Sequence, residues 1–142
     1  LATLGPSTDI MRWVWGLAAR AAHELGDLAA ERELLAPLEP YRPGQLGRLL
    51  SAERDLCIAR LAVGSETDAL FGAAIAGLRD RSTPYHLAHG LLDHATALTA
   101  DDRGDEAGPL IDEARRIGED LGAAQVLERV RSAAPESLPT PA

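Results

Sequence analysis

The chain has 142 residues, of which 46% are hydrophobic but only 4% aromatic, and its 22 acidic against 14 basic side chains leave a formal net charge of −8. Every basic residue is an arginine, which excludes a P-loop lysine, a Schiff base and a Ser–Lys dyad. The acidic balance argues against direct nucleic-acid binding, which needs a basic face to neutralise phosphates.

A core poor in aromatic and β-branched residues must be built from Leu and Ala, both strong helix formers, so helix-on-helix packing is expected. No apolar run approaches the roughly 18–20 residues of a membrane helix, and no charged-then-apolar leader opens the chain. A soluble, cytoplasmic domain is the expectation. The single cysteine, Cys57, excludes an intramolecular disulfide and a cysteine-rich zinc site, and its leucine neighbours predict an inert core thiol.

Helix signals run from end to end. Ser7 is placed to cap a first helix over 8–25, closed at Leu25-Gly26. Asp27 caps a second over 28–38, ended by Pro37, Pro40, Pro43 and Gly44. A third spans 45–63 and stops at Gly64; Ser65-Glu66-Thr67-Asp68 resembles a capping box and opens a fourth over 66–80. Ser82-Thr83-Pro84 opens a fifth over 84–100, and Asp101-Asp102-Arg103-Gly104 breaks it. A sixth reaches Leu121-Gly122, a seventh covers 123–133, and the proline-rich residues 135–142 form a flexible tail.

Short connections make consecutive helices antiparallel hairpins, over 8–38, 45–80 and 84–121, with a terminal helix at 123–133 and one domain over 1–134. Gly26 and Gly64 stand at the turns inside hairpins, and Asp102, which tolerates left-handed backbone, takes that place in the third. Ala69 and Ala76, like Ala107 and Ala114, lie two turns apart on one face, where small side chains would let a partner helix approach.

These features resemble tetratricopeptide-like repeats in a degenerate form, about seven helices stacked as a right-handed α-solenoid segment. WGLAARAAHELGD, LLSAERDLCIARLA, AAIAGLRDRSTPYHLAHGLLDHA and IDEARRIGEDLGA are similar to the C-terminal helical region of large actinobacterial regulators. Those chains join a class III adenylate/guanylate cyclase-like domain to an ATP-binding AAA/STAND-type module, and related LuxR-type regulators carry similar arrays. The likeness covers about residues 10–131, and the opening Leu1 agrees with a piece of something longer. It implies a non-catalytic scaffold without cofactor, whose partners are a protein, a peptide or other domains of its chain. No cyclase metal-binding aspartates or P-loop can be matched, so any catalysis of the parent would lie elsewhere. The first helices of hairpins would line a concave partner groove, with Arg54, Asp55, Ile58, His89, Leu92, Asp93 and Thr96 as candidates.

TPYHLAHGLLDHA carries three of the four histidines. On a helix His86, His89 and Asp93 fall within about 60° of one another, facing away from the Leu87, Leu91, Ala95 and Leu98 stripe, with His94 at its border. Two histidines and a carboxylate are a possible zinc set, but His86 and Asp93 stand about 10 Å apart along the axis, too far for one ion. A solvated or groove-lining His89–Asp93 pair is the favoured reading. Glu53 and Arg60 interrupt the Leu46, Leu49, Leu50, Leu56 and Cys57 stripe, and edge packing is favoured over a buried polar contact. Trp13 and Trp15 are about 200° apart on one helix, so one of them faces a binding surface or the seam to a preceding repeat. DDRGDE at 101–106 has Arg at its third and Glu at its sixth position, which fails the EF-hand pattern and reads as a turn with an acidic helix start. Two other functions remain open, a small-molecule sensor with a pocket between hairpins and a metal-dependent hydrolase using His86, His89 and Asp93.

Overall fold

A computed structural model describes residues 9–134 of the chain. It is all-α, with no strand among the described residues, and its seven helices pack as sequential pairs. The helices are α1 (Asp9–Glu24), α2 (Leu28–Leu35), α3 (Arg48–Leu61), α4 (Thr67–Arg81), α5 (Pro84–Ala100), α6 (Gly104–Leu121) and α7 (Ala124–Ala133). The Ser7 cap and the tail over 135–142 fall outside the described residues.

Helix ends follow local chemistry. Asp27 caps α2, its Oδ1 accepting the Ala30 N–H at 3.0 Å. α2 stops at Leu35, three residues earlier than its apolar spacing predicts, and Leu38 continues only as a turn through its N–H to the Leu35 carbonyl at 2.8 Å. Pro37 has no N–H with which to extend the ladder. α3 starts three residues late because Gln45 Oε1 accepts the Arg42 N–H at 2.7 Å and holds those residues in a turn. The capping box expected at Ser65–Asp68 does not form. Glu66 stands at the N-cap without a side-chain bond, and the Thr67 N–H goes to the Gly64 carbonyl at 3.2 Å. Asp102 takes the left-handed turn position, φ 59°, and the Arg103 N–H reaches across it to the Leu98 carbonyl at 2.8 Å.

The chain divides into two compact units, Leu1–Thr83 and Pro84–Ala142. In the first, α1 packs on α2 and α3, and α3 packs on α4. Its core joins Met11, Trp15 and Ala19 of α1 to Leu35 and Leu38 around α2, and to Leu46, Leu50 and Cys57. Trp15 donates its indole N–H to the Leu34 carbonyl at 2.8 Å, which satisfies the ring's one polar atom inside this core. α4 buries Phe71, Ala74, Ile75 and Leu78. Ala69 and Ala76 face out of this packing and are exposed, so the close approach expected there does not occur; the larger residues of α4 command the buried face.

In the second unit α5 packs on both α6 and α7, which also pack on each other. α6 turns Ala107, Ile111, Ala114 and Gly118 inward, so Ala107 and Ala114 share a buried face. Val126 and Val130 are the buried apolar residues of α7. A Cβ on Gly118 would meet Leu127 Cδ2 at 2.9 Å and Val126 Cγ1 at 3.0 Å. That glycine admits α7. Gly72 in α4, by contrast, has nothing within 4 Å of its missing Cβ.

The two glycines predict opposite signs in thermal melts. Gly72→Ala should stabilise by about 0.5–1 kcal/mol through helix propensity alone. Gly118→Ala should destabilise by about 1 kcal/mol, because overpacking at the α6–α7 contact outweighs the same propensity gain.

Candidate functional site

Polar residues gather in three places, two of them buried. In the first unit Glu31 of α2, fully buried, is reached from two other helices. Arg60 of α3 donates Nε–H to Glu31 Oε1 at 2.7 Å, His23 of α1 donates from Nδ1 to Oε2 at 3.1 Å, and the Cys57 thiol points at Oε1 from 3.5 Å. Burial alone would raise the Glu31 pKa, but the His23 hydrogen bond and the Arg60 charge and hydrogen bond outweigh it and hold the carboxyl below its ordinary value. Burial pushes the Cys57 thiol up to about 12 against the pull of Arg60, so it is an un-ionised core group, as its leucine neighbours predict. Nearby, Arg20 of α1 lies 3.8 Å from Glu53 of α3, and both are buried. Gly16 makes that contact possible, since a Cβ there would stand 3.3 Å from the Glu53 carboxylate.

Edge packing of Glu53 and Arg60 is therefore overturned. Both are buried contacts, and they face different partners. The apolar stripe of α3 is interrupted because α1 and α2 each bring an opposite charge to it, which offsets the cost of burial.

In the second unit Arg129 of α7 donates to His89 Nδ1 at 2.7 Å and to Asp93 Oδ1 at 2.6 Å. Arginine has no acceptor, so His89 Nδ1 carries no proton in this arrangement. Tyr85 sets its ring edge-on to His89, with centroids 4.7 Å apart, and donates its hydroxyl to Gln125 Oε1 of α7 at 2.8 Å. The solvated or groove-lining face expected for His89 and Asp93 is thus corrected, since both are buried beneath α7. The expectation counted one apolar seam on α5, against α6; α7 covers the opposite side. Among the described residues no three His, Cys, Asp or Glu side chains gather as ligands for one ion. In the candidate set of His86, His89 and Asp93, the last two face an arginine, and His86 is half-buried with its ring against Tyr85.

The groove candidates separate by environment. Leu92 is buried core, Ile58 packs against the first core, and Thr96 is exposed with its hydroxyl donating to the Leu92 carbonyl at 2.8 Å. Arg54 and Asp55 do line an open groove of about 420 Å³, together with Pro43, Gly44, Leu46, Arg48, Ser51 and Arg81. Arg54 is the least exposed of its cations, donating to the Tyr41 carbonyl at 2.9 Å and to Asp55 Oδ1 at 3.3 Å. On α1 the two tryptophans separate as their spacing requires: Trp15 is core and Trp13 is exposed.

Glu31 and Arg129 were not singled out in the sequence, and Pro43 and Gly44, which line the groove, were read there only as helix breakers. Leu28, Glu31, Leu35 and Leu38 follow 3–4–3 spacing, which places Glu31 at a core position of its helix. Arg129 has no such signal beyond its neighbour Val130.

No protein-family model, no curated protein and no solved structure matches the chain. Among the described residues no helix is long and apolar enough to cross a membrane.

Glu31→Gln removes the charge opposite Arg60 and should cost about 3–5 kcal/mol at neutral pH. Because the folded pKa is depressed, this stability is present above the ordinary value of 4.5 and is lost as pH falls below it. Denaturant titrations should therefore show the wild-type advantage over Glu31→Gln shrinking below that pH. Asp93→Asn should cost less, about 1–3 kcal/mol, because the Arg129 side chain is 22% exposed and can turn to water. Hydrogen exchange should then rise first across α7 and spare the α5–α6 contact.

Proposed function

We propose that the chain is a non-catalytic, tetratricopeptide-like scaffold that makes protein–protein or intramolecular regulatory contacts within a larger ATP-binding signalling protein. The observation that carries this reading is the second apolar face of α1. Met11, Trp15, Ala19 and Ala22 are buried in the first unit, while Ile10, Trp13, Val14 and Leu17 remain 58%, 59%, 50% and 60% exposed. Those four recur at i, i+3, i+4 and i+7, the spacing of one continuous helix stripe. A helix apolar on both sides is normally covered on both sides, and an interior helix of a stacked array is covered by its own hairpin and by a neighbouring one. The likeness of the quoted helices to the C-terminal arrays of actinobacterial cyclase and LuxR-type regulators supports the same function.

Two further features favour a scaffold. The histidine and carboxylate groups that resemble a chemical site are engaged in holding helices together. The helices pack in sequential pairs, the arrangement from which such arrays are built.

The test is site-specific photo-crosslinking in the parent protein inside cells. A photoreactive side chain at position 13 or 17 should capture a helical segment of the same chain or of a defined partner, while one at the exposed Asp105 should not. Trp13→Arg with Leu17→Arg should leave the melting temperature of the purified chain nearly unchanged, since both side chains are exposed, and should abolish the crosslink made from position 10. Adducts that are absent at positions 13 and 17, or equal to those at 105, would end this reading.

A further inference from the structure

We propose that the arginine-lined groove of the first unit binds an acidic, extended peptide segment. In a chain of net charge −8, this groove gathers Arg48, Arg54 and Arg81 against a single lining carboxylate, Asp55. Asp80 adds a second carboxylate at the rim, with Oδ2 3.7 Å from both Arg48 Nη2 and Arg81 Nε. Three guanidiniums against two carboxylates leave a local positive balance on an otherwise acidic protein.

By their partners the cations form two centres. Arg54 is fixed at one, its side chain only 13% exposed and held by the Tyr41 carbonyl and Asp55. Arg48 and Arg81, 73% and 40% exposed, share Asp80 at the other. Each guanidinium carries five N–H donors, and the contacts of Arg54 with Tyr41 and Asp55 use three of them. A single small anion is held best where donors converge on one point. Two centres with distinct partners suit two carboxylates along a chain.

Leu46, Pro43, the side-chain-free Gly44 and Ser51 line the same groove. They give it a partly apolar surface beside its charges. About 420 Å³ lies within the size of sites that hold peptides and drug-sized ligands. Long, exposed ion pairs such as Arg48–Asp80 are worth little, so a ligand carboxylate exchanges readily with Asp80. Binding should be modest in strength, salt-sensitive and selective for sign. This groove and the outward face of α1 share no residue, so failure at one leaves the other standing.

The test is fluorescence anisotropy of a labelled hexapeptide of alternating glutamate and serine, titrated with the purified chain at about 20 mM and about 300 mM salt. Wild type should bind at low salt and weaken at high salt. Arg48→Gln with Arg81→Gln should weaken binding at least about tenfold, the loss of charge-assisted hydrogen bonds at one centre, with an unchanged melting temperature. Arg115→Gln with Arg116→Gln, on α6, should change it less than about twofold. A lysine–serine peptide should not bind. Lack of binding by wild type at low salt, equal loss from the α6 pair, or no loss from the groove pair would overturn the proposal. So would inorganic phosphate competing as well as the peptide, which would make this a small-anion site.

Discussion

One buried carboxylate organises the first unit. Glu31 lies on an eight-residue helix, α2, too short to be stable on its own and with little apolar surface to contribute. Placed without solvent contact, it must be met by donors, and those donors come from α1 and α3. Any displacement of α2 that broke the contact with Arg60 would leave that charge without its ion-pair partner, at a cost of several kcal/mol. Hydrophobic area alone tolerates sliding; this carboxylate does not. The register of three helices follows from it.

The second unit solves the same problem with the opposite charge. α7 is its shortest helix, ten residues with Val126 and Val130 as its buried apolar groups, and Arg129 fastens it to α5 through His89 and Asp93. The shape of α6 completes the arrangement. Three of its four inward residues, Ala107, Ala114 and Gly118, are small, and Gly118 lets the α7 side chains come close. In each unit a short helix is docked by one ionic residue, and His23 and His89 serve that docking. A core nearly without aromatic residues has few large side chains with which to lock helices in place, and directional polar contacts supply the missing specificity.

This division of labour bears on function. His23, Glu31, His89, Asp93 and Arg129 hold helices together, and two surfaces stand out among the described residues, the apolar outer stripe of α1 and the arginine groove beside the loop that precedes α3. The proposed scaffold role needs rigid elements beneath its contact surfaces. Arg54 joins the Tyr41 carbonyl of the loop to the wall of the groove.

Much of the fold was legible in the sequence, because helix limits are set locally. The Asp27 cap, the left-handed positions at Gly26, Gly64 and Asp102, and the proline that opens α5 depend on a few neighbouring residues, and periodicity identified the inward faces of α5 and of α6. The separation of Trp13 from Trp15 follows from helix geometry alone. What tertiary structure decided was the environment of every charged residue on an apolar stripe. Glu53, Arg60, His89 and Asp93 were expected at edges or in solvent because each helix was credited with one packing seam, and two of those helices have more than one. Whether a carboxylate is solvated or buried depends on whether a cation from a distant part of the chain arrives to meet it. Arg60 stands 29 residues from Glu31, and Arg129 stands 36 from Asp93. Local spacing places a side chain on a face of its helix, but the partner that decides its energy is chosen only when the helices come together.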